Sequence, residues 1–107
     1  MSTAQIDDPV LIRFRQALTG AYGSKLERVV LFGSRARGDA RPDSDYDVAV
    51  FIHDPASFGD ESWRLAEIET DILLDTGAVI NAVHFHAGSW QKRTGLMSEL
   101  RRDGIDL

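Results

Sequence analysis

Residues 29–52, VVLFGSRARGDARPDSDYDVAVFI, decide the fold because they place a polar loop between two apolar segments. Residues 29–32 form an apolar run that is too short for a helix, which predicts a strand covered on both faces. Residues 46–52 are rich in β-branched and aromatic side chains, which predicts a second strand. Residues 33–44 are rich in Gly, Arg and Asp, so we expect a short helical turn followed by a loop.

Helical and alternating patterns flank this stretch on both sides. Asp8 followed by Pro9 is typical of a helix start, with Asp as the N-cap and Pro in the first turn. Gly directly after a helical segment is typical of its end. The further predicted elements are a helix from Pro9 to the glycine at 23, a helix from residue 60 to the glycine at 77, a strand over residues 78–85 and a helix over residues 90–102.

Length and composition bound the class of protein. The 107 residues, 43% hydrophobic and 27% charged, fit one globular domain, which we expect to span residues 1–107. The sequence has no cysteine, which excludes disulfides and thiolate metal sites and fits a cytoplasmic protein. The first ten residues resemble no signal peptide, and no window approaches the roughly 20 apolar residues of a membrane span. We therefore expect no membrane partner.

The formal net charge of −5 is concentrated in one segment. Residues 54–75 contain seven acidic residues and one Arg. This acidic balance argues against direct binding to DNA or RNA, because the protein would repel a phosphate backbone. We expect the acidic residues of helix 60–75 to form a solvent-exposed face, with an interaction surface as the alternative.

Two aspartates at the start of the second strand form the first candidate site. Side chains alternate along a strand, so Asp45 and Asp47 share one face while Tyr46 points away. Two carboxylates this close repel each other unless a cation or an arginine neutralises them. Magnesium suits the pair, because it binds one or two carboxylates together with substrate phosphates.

Gly33 and Ser34 form the second half of the candidate site. A glycine at a strand end lets the backbone approach a ligand closely, and the start of a helical turn presents free N–H groups that attract phosphate. Arg35 or Arg37 can add positive charge there, or both can be surface residues. Ser44 either contacts the nucleotide or only caps the turn before Asp45.

Three other interpretations of these residues can be tested by spacing. A phosphate-binding Walker loop needs Lys after its second glycine, where Asp39 stands. A calcium-binding EF-hand that starts at Asp43 needs Gly at its sixth position, where Val48 stands. A purely structural interpretation makes the polar residues before Tyr46 turn formers and leaves Asp47 as an edge-strand charge.

Residues 33–50, GSRARGDARPDSDYDVAV, resemble the signature of the DNA polymerase β-like nucleotidyltransferase superfamily. More closely, they resemble the minimal nucleotidyltransferases that act as antitoxins beside HEPN-domain toxins. The resemblance implies an α/β (α+β) fold, a small mixed β-sheet with helices packed on it. It also implies Mg²⁺-dependent transfer of a nucleotidyl group, most often AMP from ATP, with a tyrosine of the cognate HEPN toxin as acceptor.

The resemblance implies roles for individual residues. In such enzymes the positions of Gly33 and Ser34 hold phosphates, and those of Asp45 and Asp47 bind the metal. The complete predicted site is catalytic and metal-binding Asp45 and Asp47, with nucleotide- and phosphate-binding Gly33, Ser34, Arg35 and Ser44.

The third carboxylate of active superfamily members is replaced in this chain. The matching position is Asn81, whose neutral carbonyl is a weaker magnesium ligand and too weak a base to take a proton. Two alternatives to a protein adenylyltransferase therefore stay open. One is a non-catalytic antitoxin with a degenerate nucleotide site, and the other is a nucleotidyltransferase that acts on a small molecule or a nucleic-acid end.

Four other residues have weaker functional patterns. His84 and His86 share one strand face but have no third metal ligand nearby in the sequence. We expect Trp63 and Trp90 to pack the helices, with a partner surface as the alternative for one of them.

Overall fold

A mixed five-stranded sheet organises the chain in this computed structural model, which describes residues 2–3 and 7–107. The strands are β1 (Ser2–Thr3), β2 (Leu26–Phe32), β3 (Tyr46–Ile52), β4 (Ile80–His86) and β5 (Ile105–Asp106). The helices are α1 (Pro9–Tyr22), α2 (Ser34–Arg37), α3 (Phe58–Thr76) and α4 (Gly95–Asp103), with 3₁₀ turns at Gly23–Lys25 and Ala87–Gln91. In this described part of the chain, every helix is too short or too polar to cross a lipid bilayer.

The strand order is β1-β5-β2-β3-β4, so β3 lies between β2 and β4. Strand β3 pairs antiparallel with β2 and parallel with β4, which places β4 at one edge of the sheet. The parallel pairing requires a crossover, and α3 supplies it. This arrangement confirms the expected small mixed sheet with helices packed on it.

Each face of the sheet has its own apolar core. Val48, Val50 and Ile52 of β3 pack with α1 and α3 on one face. Ala49 and Phe51, which alternate with them, pack with α4 on the other face. Full burial of each large apolar side chain contributes about 1.5–3 kcal/mol to folding, so this double-sided strand anchors the molecule.

The first helix begins and ends where the sequence predicts. The Asp8 side chain accepts a hydrogen bond of 2.8 Å from the backbone N–H of Val10, which caps α1, and Pro9 occupies the first helical position. Gly23 follows with a φ of 55°, a value that favours glycine. The 14 residues of α1 have the expected bounds, and its buried apolar positions run from Leu11 to Tyr22.

The last helix was expected to begin at Trp90, and this is wrong. Residues 87–91 form a 3₁₀ turn, and α4 begins only at Gly95. The Thr94 hydroxyl accepts a 3.1 Å hydrogen bond from the N–H of Met97 and so caps α4 at this point. The third strand likewise starts at Ile80 rather than at 78. Strands β1 and β5 were not predicted.

One acidic residue of α3 is buried rather than solvent-exposed. Glu61 has no exposed surface, and its carboxylate accepts hydrogen bonds from the Tyr22 hydroxyl at 3.2 Å and the Ala56 N–H at 3.0 Å. Arg64 lies 3.7 Å away. Asp60, Glu67 and Asp71 are exposed, as the sequence predicts. The carboxylate of Glu61 thus joins α3 to α1 and to the loop that precedes α3.

Candidate functional site

The two strand aspartates converge with Asn81 on one face of the sheet. Asp47 pairs with Asn81 in the parallel register of β3 and β4, so their side chains project from the same face. The Asn81 amide donates a hydrogen bond of 3.1 Å to Oδ2 of Asp45, which brings the third side chain to the same place. Tyr46 is buried in the opposite core, as the alternation predicts.

Gly33 brings the loop after β2 against this cluster. Its φ of 73° lies in the region that favours glycine. A Cβ built at this position would overlap Oδ2 of Asp47, so no other residue fits without displacing the carboxylate. The glycine and the aspartate, 14 positions apart in sequence, are therefore in direct contact.

Ser34 begins a short helical turn at this contact. The N–H groups of Ala36 and Arg37 donate to the Gly33 carbonyl at 3.2 and 3.1 Å, which fixes the first turn of α2. The expected helix start after the glycine is therefore present. Gly38, with a φ of 83°, ends α2 and begins the loop to Asp45.

Ser44 closes the turn that precedes Asp45. Its hydroxyl accepts a 2.9 Å hydrogen bond from the Arg41 N–H, and its own N–H donates to the Arg41 carbonyl at 3.0 Å. Of the two roles considered for this residue, these contacts are those of a turn cap. A contact between Ser44 and a nucleotide stays a prediction.

Arg35 lies on the Tyr46 side of the strand and is not brought to the carboxylates. Its guanidinium carbon stands 3.8 Å from the centre of the Tyr46 ring. Two of its nitrogens donate to the Ser44 carbonyl, at 2.6 and 3.0 Å, and one donates to the Pro42 carbonyl at 3.2 Å. A planar guanidinium that stacks and binds carbonyls at once holds the loop in one shape. Its phosphate contact stays a prediction.

Tyr46 extends this network to the start of α1. Its hydroxyl donates a 2.6 Å hydrogen bond to Oδ2 of Asp8, the residue that caps α1. Burial, reinforced by the bond to Asp8 and its charge, raises the pKa of Tyr46 to about 12. From the sequence, only the direction of the Tyr46 side chain, away from the two aspartates, can be predicted. Long-range hydrogen bonds of this kind leave no local sequence signal.

The donor atoms at the site fit a hard divalent cation. Asp45 and Asp47 offer carboxylate oxygens, and Asn81 offers an amide carbonyl if its side chain turns over. In residues 7–107, no group of three or more His, Cys, Asp or Glu is placed to hold a metal. A magnesium ion at this pair would need water and phosphate oxygens to complete its coordination.

The two strand histidines are engaged separately. His84 shares a 2.9 Å hydrogen bond with the Ser62 hydroxyl, and the His86 ring accepts 3.1 Å from the Gly88 N–H. Their local hydrogen bonds, together with the missing third ligand, leave them without a metal-binding geometry. Trp90 packs edge-on against Phe51 at 5.4 Å between ring centres, as expected, but Trp63 is 70% exposed, so its predicted packing role is wrong.

Comparisons with known proteins show the family to which the chain belongs. Residues 11–101 match the family model described as the nucleotidyltransferase domain. Over 78 residues, 72% of this chain and 71% of the other, the sequence is 32% identical to a Methanocaldococcus jannaschii protein named "putative protein adenylyltransferase".

Two solved structures share the fold at low sequence identity. One is a toxin–antitoxin with AMP-PNP, at 20% identity and a TM-score of 0.62, covering 94% of this chain and 72% of the other. The second is a complex of a tri-AMPylated HEPN toxin of Shewanella oneidensis with an MNT antitoxin, at 16% identity and a TM-score of 0.54. It covers 91% of this chain and 70% of the matched chain.

Proposed function

Because this chain belongs to the nucleotidyltransferase domain family, we propose that it transfers the AMP group of ATP to a hydroxyl group of a partner protein. The observation that carries the proposal is the contact between Gly33 and the carboxylate of Asp47. It puts a backbone suited to phosphate beside a carboxylate pair suited to magnesium, and a nucleotidyl transfer needs both together.

The proposed acceptor is a HEPN-type toxin, which would make this chain its antitoxin. The signature over residues 33–50 supports this partner, since it resembles that of minimal nucleotidyltransferase antitoxins. The two structural neighbours named as toxin–antitoxin complexes, one with an AMPylated HEPN toxin, support it as well. A tyrosine hydroxyl is the proposed acceptor group.

The residues of the site divide the work of the reaction. Gly33 and Ser34 would hold the β- and γ-phosphates with backbone N–H groups and the serine hydroxyl. Asp45 and Asp47 would hold magnesium, which when bound neutralises the triphosphate and lowers the pKa of an incoming hydroxyl. Ser44 and Arg35 would fix the loop that carries Asp45, with a phosphate contact as a further role.

The transfer itself is a substitution at the α-phosphorus of ATP. The hydroxyl oxygen of the acceptor forms the new P–O bond, the bond to the bridging oxygen of pyrophosphate breaks, and the hydroxyl proton passes to water. A neutral Asn81 cannot accept that proton, which is why it is assigned to water, and Asp45 and Asp47 would act as the metal ligands.

A second candidate function is neutralisation of the toxin by binding alone. Asn81, which stands beside the two aspartates and donates to Asp45, favours this alternative. A site with two carboxylates keeps some affinity for a magnesium–nucleotide complex while losing turnover.

One experiment separates the two functions. The chain and its HEPN-type partner are incubated with Mg²⁺ and ATP labelled at the α-phosphate, and label on the partner is measured. We expect labelling that Asp47→Asn abolishes and that Asp43→Asn, an exposed control in the same loop, leaves intact. If the chain binds the nucleotide but the partner carries no label, the proposed catalysis is refuted. Toxin neutralisation that survives Asp45→Ala with Asp47→Ala would establish the binding alternative.

A further inference from the structure

The outer side of α3 carries a row of apolar side chains that no part of the described chain covers. Trp63 is 70% exposed and Leu74 is 79% exposed. With Ala66, Thr70 and Leu73, they recur at spacings of three and four residues, which places them along one side of the helix. A contiguous exposed apolar surface of this kind marks an interaction site more often than an isolated apolar residue does.

This row leads to the candidate site. A shallow groove of about 300 Å³ runs beside Trp63, Ala66 and Thr70. A second groove of about 140 Å³ begins at the same Thr70 and ends at Asn81. Asn81 belongs to the edge strand β4 and donates a hydrogen bond to Asp45, so a chain segment that occupies both grooves ends at this edge, with the carboxylates just beyond it on the α4 face of the sheet.

The charge along the grooves has one sign. Glu67 and Asp71 line the first groove and Glu69 lines the second, whereas neither groove is lined by Lys or Arg from the described residues. The nearest cation of the helix, Arg64, is turned the other way, towards the Tyr22 ring at 5.2 Å and the buried Glu61. The uncompensated acidic rim selects a basic occupant.

The neighbouring edge of the sheet is also open. Strand β4 is the last strand in the sheet order, and the apolar Val79 and Val83 at this edge are 41% and 39% exposed. The outer side of α3 and this exposed edge of the sheet therefore form one continuous surface, with Trp63 at one end and Asn81 at the other.

We propose that this α3–β4 surface, from Trp63 to Asn81, docks a basic amphipathic helix of the acceptor protein, so that its hydroxyl reaches Asp45 and Asp47 past the β4 edge. The inference rests on the proposed function for the identity of the docked protein as acceptor. From residue 63 to 74 the row is about 16 Å long, which matches about three turns of helix. Helices commonly bind in this way, with apolar anchors in a groove and charges at its rim.

Other occupants fit the surface less well. A second copy of the chain joined at β4 would bring two acidic α3 helices together, and like charges at a contact oppose association. Nucleic acid and anionic lipid surfaces carry the same sign of charge as Glu67 and Asp71 and would be repelled. A basic protein segment satisfies both the apolar row and its acidic rim.

The test uses a fluorescein-labelled amphipathic peptide built from Leu and Lys, with a Leu–Glu peptide of equal length as its counterpart. Fluorescence anisotropy reports binding to the full chain. We expect only the Leu–Lys peptide to bind. Trp63→Ala, which removes a large apolar anchor, and Glu67→Lys, which places a like charge beside the basic peptide, should each weaken its binding about tenfold. Ile12→Ala and Glu27→Lys make the same kinds of change away from this surface and are expected to leave the affinity within about twofold.

Two results would overturn the inference. The first is equal binding of the Leu–Lys peptide to the wild type, Trp63→Ala and Glu67→Lys. The second is self-association of the chain in sedimentation that Trp63→Ala abolishes, since the surface would then belong to a second copy.

Nucleotide binding distinguishes this inference from the proposed function. Calorimetry with magnesium and a non-hydrolysable ATP analogue is run on wild type, Asp47→Asn and Trp63→Ala. Failure of the wild type to bind nucleotide would refute the proposed function while peptide docking stands. Normal nucleotide binding by Trp63→Ala, together with lost peptide binding, supports docking as a separate property of the surface.

Discussion

The backbone of Gly33 lies against the carboxylate of Asp47 so closely that the space of a missing Cβ is filled by Oδ2 of the aspartate. Gly33 directly follows the last residue of β2, and Asp47 is the second residue of β3. The contact fixes the distance between the loop and the carboxylates, and with it the space in which the proposed function places a triphosphate.

Substitution of this glycine is expected to damage both stability and nucleotide binding. Gly33→Ala introduces a clash with Asp47 and a non-glycine residue at φ 73°, which together cost about 1–3 kcal/mol in the free energy of unfolding. Urea denaturation and calorimetric titration with a magnesium–ATP analogue measure the two effects. The matched control is Gly38→Ala, which has a φ of 83° but open space around it and is expected to lose only stability. Equal nucleotide affinity in the two variants would contradict the assigned role of the contact.

Restoring an acid at position 81 is expected to trade stability for metal affinity. Asn81→Asp removes the hydrogen bond to Asp45 and places three negative charges together. Without metal, the free energy of unfolding should fall by about 1 kcal/mol, because like charges repel. With Mg²⁺, affinity and adenylyl transfer should rise by about tenfold, as a third hard ligand is added. Thermal unfolding with and without Mg²⁺ measures the first effect.

Asn81→Ala serves as the control for that substitution. It also removes the hydrogen bond to Asp45 but adds no charge. We expect it to lose a little stability and to gain no dependence of stability on Mg²⁺. If both variants respond to Mg²⁺ alike, the added carboxylate does not bind the ion.

Substitutions of Arg35 distinguish a positioning role from a charge role. If the guanidinium acts by holding the Ser44 carbonyl and stacking on Tyr46, Arg35→Lys should raise the KM for ATP nearly as much as Arg35→Ala, because Lys lacks the planar fork. If only charge at the phosphates matters, Lys should restore activity. We expect the first result. Arg41→Lys, in the exposed part of the same loop, is the control.

The two tyrosines predict how stability changes at high pH. Tyr22 and Tyr46 are the only tyrosines, and burial raises the pKa of each to about 12 in the folded chain. The unfolded pKa is about 10, so the neutral form is favoured by folding. The stabilisation is complete below about pH 10 and is lost between about pH 10 and 12. Tyrosinate absorbance of folded and unfolded protein should show this shift, and coincident titrations would contradict it.

The placement of Asp45, Asp47 and Gly33 could be predicted because the sequence patterns that indicate it are local. Alternation along a strand puts Asp45 and Asp47 on one face and Tyr46 on the other, and this requires only a period of two. An apolar run that ends in glycine indicates a strand followed by a close turn, and Gly33 fulfils it. The expectation that Asn81 stands at the third position came from the resemblance, and the register of β3 and β4 agrees with it.

Other features could not be predicted because they depend on distant parts of the chain. Nothing in the described part of the chain covers the side of α3 that carries Trp63, and sequence periodicity alone cannot distinguish such a side from a covered one. Arg35 is positioned by Tyr46 and by loop carbonyls rather than by its neighbours in sequence. The last helix begins later than expected because Thr94 caps it, and strand β5 is too short to show an alternating hydrophobic pattern.

The apolar cores on the two faces of the sheet differ in size, and this determines which elements detach first when the molecule partly unfolds. Met97 and Leu100 alone of α4 are buried on their side, whereas α1 and α3 share the larger cluster opposite. Elements with few buried contacts detach first, while the rest stays folded. Glu99 of α4 lies 3.7 Å from Arg37 of α2. Detachment of α4 would therefore remove this contact and loosen the segment that begins at Ser34. Asp45 and Asp47 would stay in place at the start of β3. Under the proposed function, a bulky substrate would then enter and leave when only α4 and the neighbouring α2 loosen.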